Sequence, residues 1–91
     1  MNETNNLESL IEDIYHFLLI LLRKKNVSEK ILDEIINISI DEDLKIITID
    51  LEVISSSLSS IEALNPIINQ IVEESILYGE KKLKEYDNYS E

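Results

Sequence analysis

Residues 36–54 read INISIDEDLKIITIDLEVI, and this stretch decides between two folds. In steps of two, its aliphatic residues alternate with polar ones on both sides of the acidic triplet Asp41-Glu42-Asp43. Alternation of β-branched and polar residues around a polar turn is typical of a β-hairpin. One interpretation of the chain is therefore an α+β fold with a hairpin in residues 36–54.

The same stretch also carries a helical spacing that continues beyond it. Apolar residues recur at intervals of three and four at Leu44, Ile47, Leu51, Ile54, Leu58 and Ile61. Strands seldom exceed about ten residues, so the longer pattern favours a helix. In that interpretation Asp41 caps the helix, and the serine-rich residues 55–60 lie within it. We therefore predict a helix here and keep the hairpin as the alternative.

Towards the N-terminus, residues 7–22 carry one apolar helix face. Its members are Leu7, Leu10, Ile11, Ile14, Leu18, Leu21 and Leu22. The cations of residues 23–25 suit a helix C-terminus, and Asn26 can adopt the left-handed conformation that ends a helix. Ser28 then predicts the start of a short second helix. A short loop between two such helices makes them antiparallel neighbours.

Towards the C-terminus, Asn65-Pro66 predicts the start of another helix, because proline is tolerated at the first helical position. Gly79 either loosens this helix or allows a neighbouring element to approach closely. The segments together predict an all-α fold, a small antiparallel bundle of about four helices. We expect a single domain over residues 1–91, with frayed ends at 1–6 and 86–91.

The composition restricts the classes of partner. The chain of 91 residues has 19 acidic and 8 basic residues, a net charge of −11, and no cysteine. A chain of this length can bury one modest core, and without cysteine it has no disulfide or thiolate metal site. We expect no direct binding to nucleic acid or to an anionic membrane, because phosphate would be repelled. No apolar run is long enough for a membrane span, so we expect a cytoplasmic protein that binds a larger, more basic protein.

Catalytic and metal-binding patterns are weak. The single histidine, His16, has no accompanying nucleophile motif, so we expect no enzyme activity. Asp41 and Glu52 match the first and twelfth positions of a calcium-binding EF-hand loop. Lys45 and Ile46 occupy the fifth and sixth positions, where that loop needs a ligand and a glycine. We therefore expect no metal site and no cofactor.

An apolar surplus indicates where a partner would bind. Residues 17–22 are apolar all around the first helix, and the predicted third helix has a second apolar row beside its main face. The residues assigned to partner binding are Phe17, Leu19, Ile20, Ile46, Ile49 and Val53. They would form a surface for another protein or a homodimer interface; the alternative is a fully buried central helix.

A resemblance to a known class of protein is carried by the small size and acidity of the chain and by three sequence features. These are the apolar helix Leu7–Leu22, the Asn65-Pro66 pair and the Lys81–Glu85 ending. With these features the chain resembles the small helical accessory subunits that accompany B-family replicative DNA polymerases in some archaea. The resemblance implies binding to a polymerase body and modulation of its stability or processivity, without chemistry of its own. The expected function is therefore a non-catalytic protein-protein interaction module. The alternatives are a self-associating helical dimer and an acidic antitoxin or DNA-mimicking inhibitor.

Overall fold

A computed structural model describes the backbone of residues 2–90 and the side chains of residues 7–85. The elements in chain order are helix α1 (Asn2–Lys24), a 3-10 turn (Ser28–Lys30), strand β1 (Asp33–Asp41), strand β2 (Ile46–Ile54) and helix α2 (Leu58–Ser90). Two helices and a two-stranded antiparallel sheet make an α+β fold, so the prediction of an all-α bundle of four helices is wrong. The ends predicted to fray, 1–6 and 86–91, lie outside the described side chains.

Helix α1 confirms the first predicted helix. Its buried side consists of Leu10, Ile14, Leu18, Leu21 and Leu22. At its end Asn26 is left-handed, with φ at 64°, as predicted. The N–H of Val27 donates to the carbonyl of Leu22 at 2.8 Å, and the N–H of Asn26 donates to the carbonyl of Arg23 at 3.1 Å. These two bonds form a Schellman motif, which satisfies carbonyls that the helix itself leaves unpaired.

The predicted second helix is wrong. Only Ser28–Lys30 turn helically, and at Ile31 the backbone is already extended, with φ at −124° and ψ at 157°. From Ile36 to Ile40 every second residue is β-branched, and such side chains pack well on a pleated surface. In a strand paired with β2, the alternating isoleucines lie on one face and pack against the core. This burial outweighs the weak preference of Ser28 for starting a helix.

Strands β1 and β2 form an antiparallel hairpin of nine residue pairs, from Asp33↔Ile54 to Asp41↔Ile46. The helix predicted from Leu44 to Ile61 is therefore wrong over residues 44–54, and the alternative interpretation, a hairpin, describes this region. The Asp41 carboxylate accepts hydrogen bonds from the N–H groups of Asp43 and Leu44, at 3.0 and 3.1 Å. Lys45 closes the turn with φ at 59°. The acidic triplet thus organises a turn and does not cap a helix.

Helix α2 begins earlier than predicted. The hydroxyl of Ser57 accepts a hydrogen bond from the N–H of Ser60 at 3.3 Å, which is the geometry of an N-cap before Leu58. Asn65-Pro66 therefore does not start a helix: Pro66 lies inside α2. An interior proline removes one helical hydrogen bond and crowds the preceding turn. The packing of the buried side of α2 overrides this local preference.

Replacing Pro66 by Ala tests that placement. Pro66 is exposed, so the substitution leaves no cavity. Ala restores the missing N–H donor, and we expect the free energy of unfolding to rise by about 2 kcal/mol, measured by urea denaturation. If proline instead opened the helix at its first position, Ala would give no gain. Asn65→Ala, at the exposed neighbouring position, is the matched control.

The two helices are antiparallel and the hairpin packs across both. The ring of Phe17 on α1 stacks on that of Tyr78 on α2, with centroids 4.2 Å apart. A Cβ atom at Gly79 would lie 2.7 Å from the Cδ1 atoms of both Ile14 on α1 and Ile47 on β2. Of the two roles predicted for Gly79, the close approach is confirmed. The core therefore lies where α1, α2 and β2 meet.

The inner face of the hairpin completes this core. It comprises Ile36, Ile38 and Ile40 on β1 with Ile47, Ile49, Leu51 and Val53 on β2. β2 packs mainly on α2, and β1 packs on α1. Within the described part of the chain, neither helix combines the length and the apolarity needed to cross a membrane.

Candidate functional site

The hairpin has a second face, which points away from the helices and is called here the outer face. It consists of Asp33, Ile35, Asn37, Ser39 and Asp41 on β1 with Ile46, Thr48, Asp50, Glu52 and Ile54 on β2. All of these residues are exposed. A two-stranded hairpin is marginal alone, so packing of the inner face on the helices is what presents the outer face to solvent.

The outer face is acidic. Four of its residues carry carboxylates, Asp33, Asp41, Asp50 and Glu52, and none of its residues is basic. Side chains two residues apart on one strand are about 7 Å apart, so these charges reinforce each other's field at the surface. A basic surface is the complement of this arrangement.

Apolar and acidic side chains alternate at the end of the hairpin farthest from its turn. Asp33 lies opposite Ile54 and Ile35 lies opposite Glu52, so the two isoleucines occupy one diagonal and the two carboxylates the other. Ile35 and Ile54 are 45% and 44% exposed. Contiguous exposed apolar area rimmed by polar side chains is typical of interaction surfaces. This end of the outer face can therefore bury apolar area as well as pair charges.

Two further exposed leucines, Leu32 and Leu58, lie close in the chain to that end of the hairpin. The N–H of Leu32 donates to the carbonyl of Ile54 at 2.7 Å, which holds the backbone of Leu32 beside the Asp33↔Ile54 pair. Leu58 follows at the start of α2, and both leucines have more than two thirds of their area exposed. Neither leucine contributes to the core.

The six residues assigned to partner binding from the sequence are not brought together. Phe17 is covered by Tyr78, and Leu19 is half-buried against the core, whereas Ile20 is 57% exposed on α1. On β2, Ile46 lies on the outer face, but Ile49 and Val53 lie on the inner face and pack in the core. The prediction that Ile46, Ile49 and Val53 form one apolar row on a third helix is therefore wrong, because they lie on opposite faces of β2.

Sequence reasoning did not single out most of the outer face. None of Asp33, Ile35, Asp50, Glu52 and Ile54 was assigned to partner binding. Ile54 was placed on the apolar face of the predicted helix, and Glu52 was considered only as a calcium ligand. Their signal is the alternation itself: once the stretch is a hairpin, each residue between two inner positions lies on the outer face.

The described residues offer no well-formed site for a small ligand or a metal ion. His16 is exposed, with its ring edge-on to that of Tyr15 at 5.9 Å. Among the residues whose side chains are described, no three His, Cys, Asp or Glu side chains are placed to hold a metal ion. A hollow of about 410 Å³ between the turn and α2 is lined by Lys45, Glu80, Leu83 and Lys84. Ligand pockets are lined mainly by apolar side chains, and here the described lining has only Leu83.

The outer face thus combines exposure, one sign of charge and apolar area. Comparison with known proteins finds no match for this chain among family models, curated proteins or solved structures.

Proposed function

We propose that this protein is a non-catalytic interaction module, an accessory subunit that binds a larger, more basic protein through the outer face and modulates its stability or activity. The observation that carries this proposal is the set of four carboxylates on an exposed sheet face that contains no base. The inner face of the same hairpin is occupied by the helices, so the outer face is the side available to a partner.

The expected energetics match a docking role. A single exposed ion pair is worth at most about 1 kcal/mol, so the carboxylates mainly raise the association rate and select basic partners. Ile35 and Ile54 add apolar area whose burial gives affinity that salt does not screen. A combination of charge for selection and apolar contact for affinity is typical of protein interfaces.

Proteins that bind DNA or RNA carry basic surfaces of the required kind. A nucleic-acid-processing enzyme such as a B-family DNA polymerase is therefore the partner that we propose first, with the cytoplasm as the compartment. The features that support this partner are the small size and the acidity of the chain. The helical character of the resemblance does not extend to residues 33–54, which form the hairpin. A partner whose DNA-binding groove received the outer face would instead make the protein an inhibitor.

Affinity capture from the native cell extract tests the proposal. Three forms are immobilised: the unchanged protein, an outer-face variant with Asp33→Asn, Asp50→Asn and Glu52→Gln, and a control with Glu62→Gln, Glu73→Gln and Glu80→Gln. Both variants lose three charges, and the control residues are exposed on α2. We expect a larger, basic protein to be retained by the unchanged form and by the control, and to be lost from the outer-face variant.

Two results would count against this function. Equal retention by the outer-face variant would move the docking surface elsewhere. Retention of no basic protein by any form, with folding verified by circular dichroism, would remove the accessory role. Raising the salt concentration should weaken retention, because pairs between exposed charges are screened.

A further inference from the structure

The edge of β1 is a feature that the outer face alone does not explain. The sheet of the described chain has two strands, so β1 has no neighbouring strand on the side away from β2. Along that side, every second residue of a strand directs its N–H and C=O groups outwards. Unpaired backbone groups of this kind are a template for an added strand.

The inner face shows that β1 is the less covered strand. On β2, Ile47 and Ile49 are only 5% and 9% exposed. Their cross-strand partners on β1, Ile40 and Ile38, are half-buried. β1 therefore lies at the rim of the helix pair, and part of each inner isoleucine faces solvent. A third strand beside β1 would cover that area, whereas a strand beside β2 would cover little more of Ile47 and Ile49.

The charges of β1 specify what such a strand should carry. Asp33 and Glu34 lie at the first end of β1, and Asp41 lies at its last residue. In an added strand, side chains directly opposite would be about 5 Å away and would interact pairwise. Lysine or arginine therefore fits opposite both ends, and aliphatic residues fit opposite the isoleucines between them.

A second copy of this chain does not meet these requirements. If two β1 strands paired antiparallel about Asn37, Asp33 of each copy would lie opposite Asp41 of the other. Two such pairs of like charges, directly opposed, destabilise the contact. Glu34 would also face Ile40 across the inner side. The edge thus disfavours self-pairing in this register and favours a basic strand.

We propose that the free edge of β1 accepts an extended basic segment of the partner protein as a third, antiparallel strand. This inference rests on the proposed function and names the part of the partner that binds. The segment has lysine or arginine at both ends and aliphatic side chains at alternate positions between them. Main-chain hydrogen bonds give affinity, and the alternating side chains give specificity.

The probe is the peptide Lys-Val-Thr-Ile-Thr-Val-Thr-Lys-Lys, which in antiparallel register places lysines opposite Asp41, Glu34 and Asp33. Amide hydrogen exchange of the full chain is followed by NMR. With free peptide at ten times its dissociation constant, outward-facing amides of β1 should exchange about tenfold more slowly, in proportion to the bound fraction. Amides of α1 and α2 that exchange through local opening should keep their rates, whereas amides that exchange only by global unfolding slow with the gain in stability. A peptide with glutamate in place of lysine should protect none.

Matched variants locate the site. The β1 variant, Asp33→Asn, Glu34→Gln and Asp41→Asn, loses three charges but keeps the side-chain oxygen that Asp41 contributes to the turn. We expect it to bind the peptide about tenfold more weakly. The control variant, Asp43→Asn, Asp50→Asn and Glu52→Gln, loses three charges in the turn and on β2. It should bind several-fold more tightly than the β1 variant.

Three outcomes overturn the third-strand proposal. They are protection on β2 with none on β1, protection at no amide, and concentration-dependent protection of β1 without peptide, which would assign the edge to a second copy. The capture experiment separates this proposal from the function. A captured basic protein that leaves β1 unprotected keeps the docking role and removes the third strand. Peptide binding without a captured protein keeps the strand and removes the accessory role.

Discussion

Replacing Ile49 by Asn should lower the free energy of unfolding by about 4 kcal/mol. Ile49 is 9% exposed on the inner face of the hairpin, so the change removes buried aliphatic area and places an amide in an apolar site. Lost burial contributes roughly 2 kcal/mol, and the unpaired polar group contributes a similar amount. Urea denaturation followed by circular dichroism measures the change. A loss this large is a substantial part of the total stability of a small domain.

The matched control is Ile46→Asn. Ile46 lies three residues away on the same strand, is 50% exposed and belongs to the outer face. The same amide there can be solvated, and its cost should stay below about 1 kcal/mol. On the helix first predicted for this stretch, the two residues would share one apolar row and respond alike. Similar losses at both positions would therefore contradict the hairpin.

That comparison identifies why the sequence alone favoured the wrong element. Leu44, Ile47, Leu51 and Ile54 do follow helical intervals, and the alternation of the strand follows intervals of two, so Ile47 and Leu51 satisfy both. Because the helical spacing extends over more residues than a typical strand, it favoured a helix. The helical interpretation needed a second apolar row for Ile46, Ile49 and Val53, whereas the strand places Ile49 and Val53 with Ile47 and Leu51 on one face. This second apolar row, which a single helix face does not explain, was the feature of the sequence that indicated a strand.

Where one period dominates, prediction succeeded. The apolar face over residues 7–22 and the left-handed Asn26 appear in α1 as expected. The failure at Pro66 has a different cause, because a local preference for helix starts was outweighed by packing farther along α2. The outer face could not be assigned before the hairpin was, since membership of a face follows from the register of the strands.

The second large effect is expected from Gly79→Val, which should lower the free energy of unfolding by about 3 kcal/mol. Position 79 is buried where α1, α2 and β2 meet, and a Cβ atom alone already comes within 2.7 Å of Ile14 and Ile47. Two further methyl groups force these elements apart, and overpacking of this kind outweighs the gain in helix propensity of under about 1 kcal/mol. Thermal and urea denaturation both report the loss. Leu77→Val, on the exposed side of α2, controls for a β-branched residue in the helix.

A double-mutant cycle tests the contact itself. Gly79→Ala brings one carbon against the Cδ1 atom of Ile14, and Ile14→Val removes that atom. We expect the two changes together to cost about 1 kcal/mol less than the sum of the single costs. Simple additivity would show that α2 does not approach α1 at this position, and the geometry of the core would need revision.

The meeting of the first and last elements also sets the order of events during synthesis. The apolar side of α1 is complete when Lys25 has been added, but α2 supplies its cover only once Leu64 to Leu83 have followed. At about 5–20 residues per second, the ribosome needs roughly 3–12 s to add residues 26–83. The hairpin between them can close within microseconds, yet it is marginal without the helices. The nascent chain therefore carries an uncovered aliphatic helix for seconds, a period in which a chaperone has time to bind it.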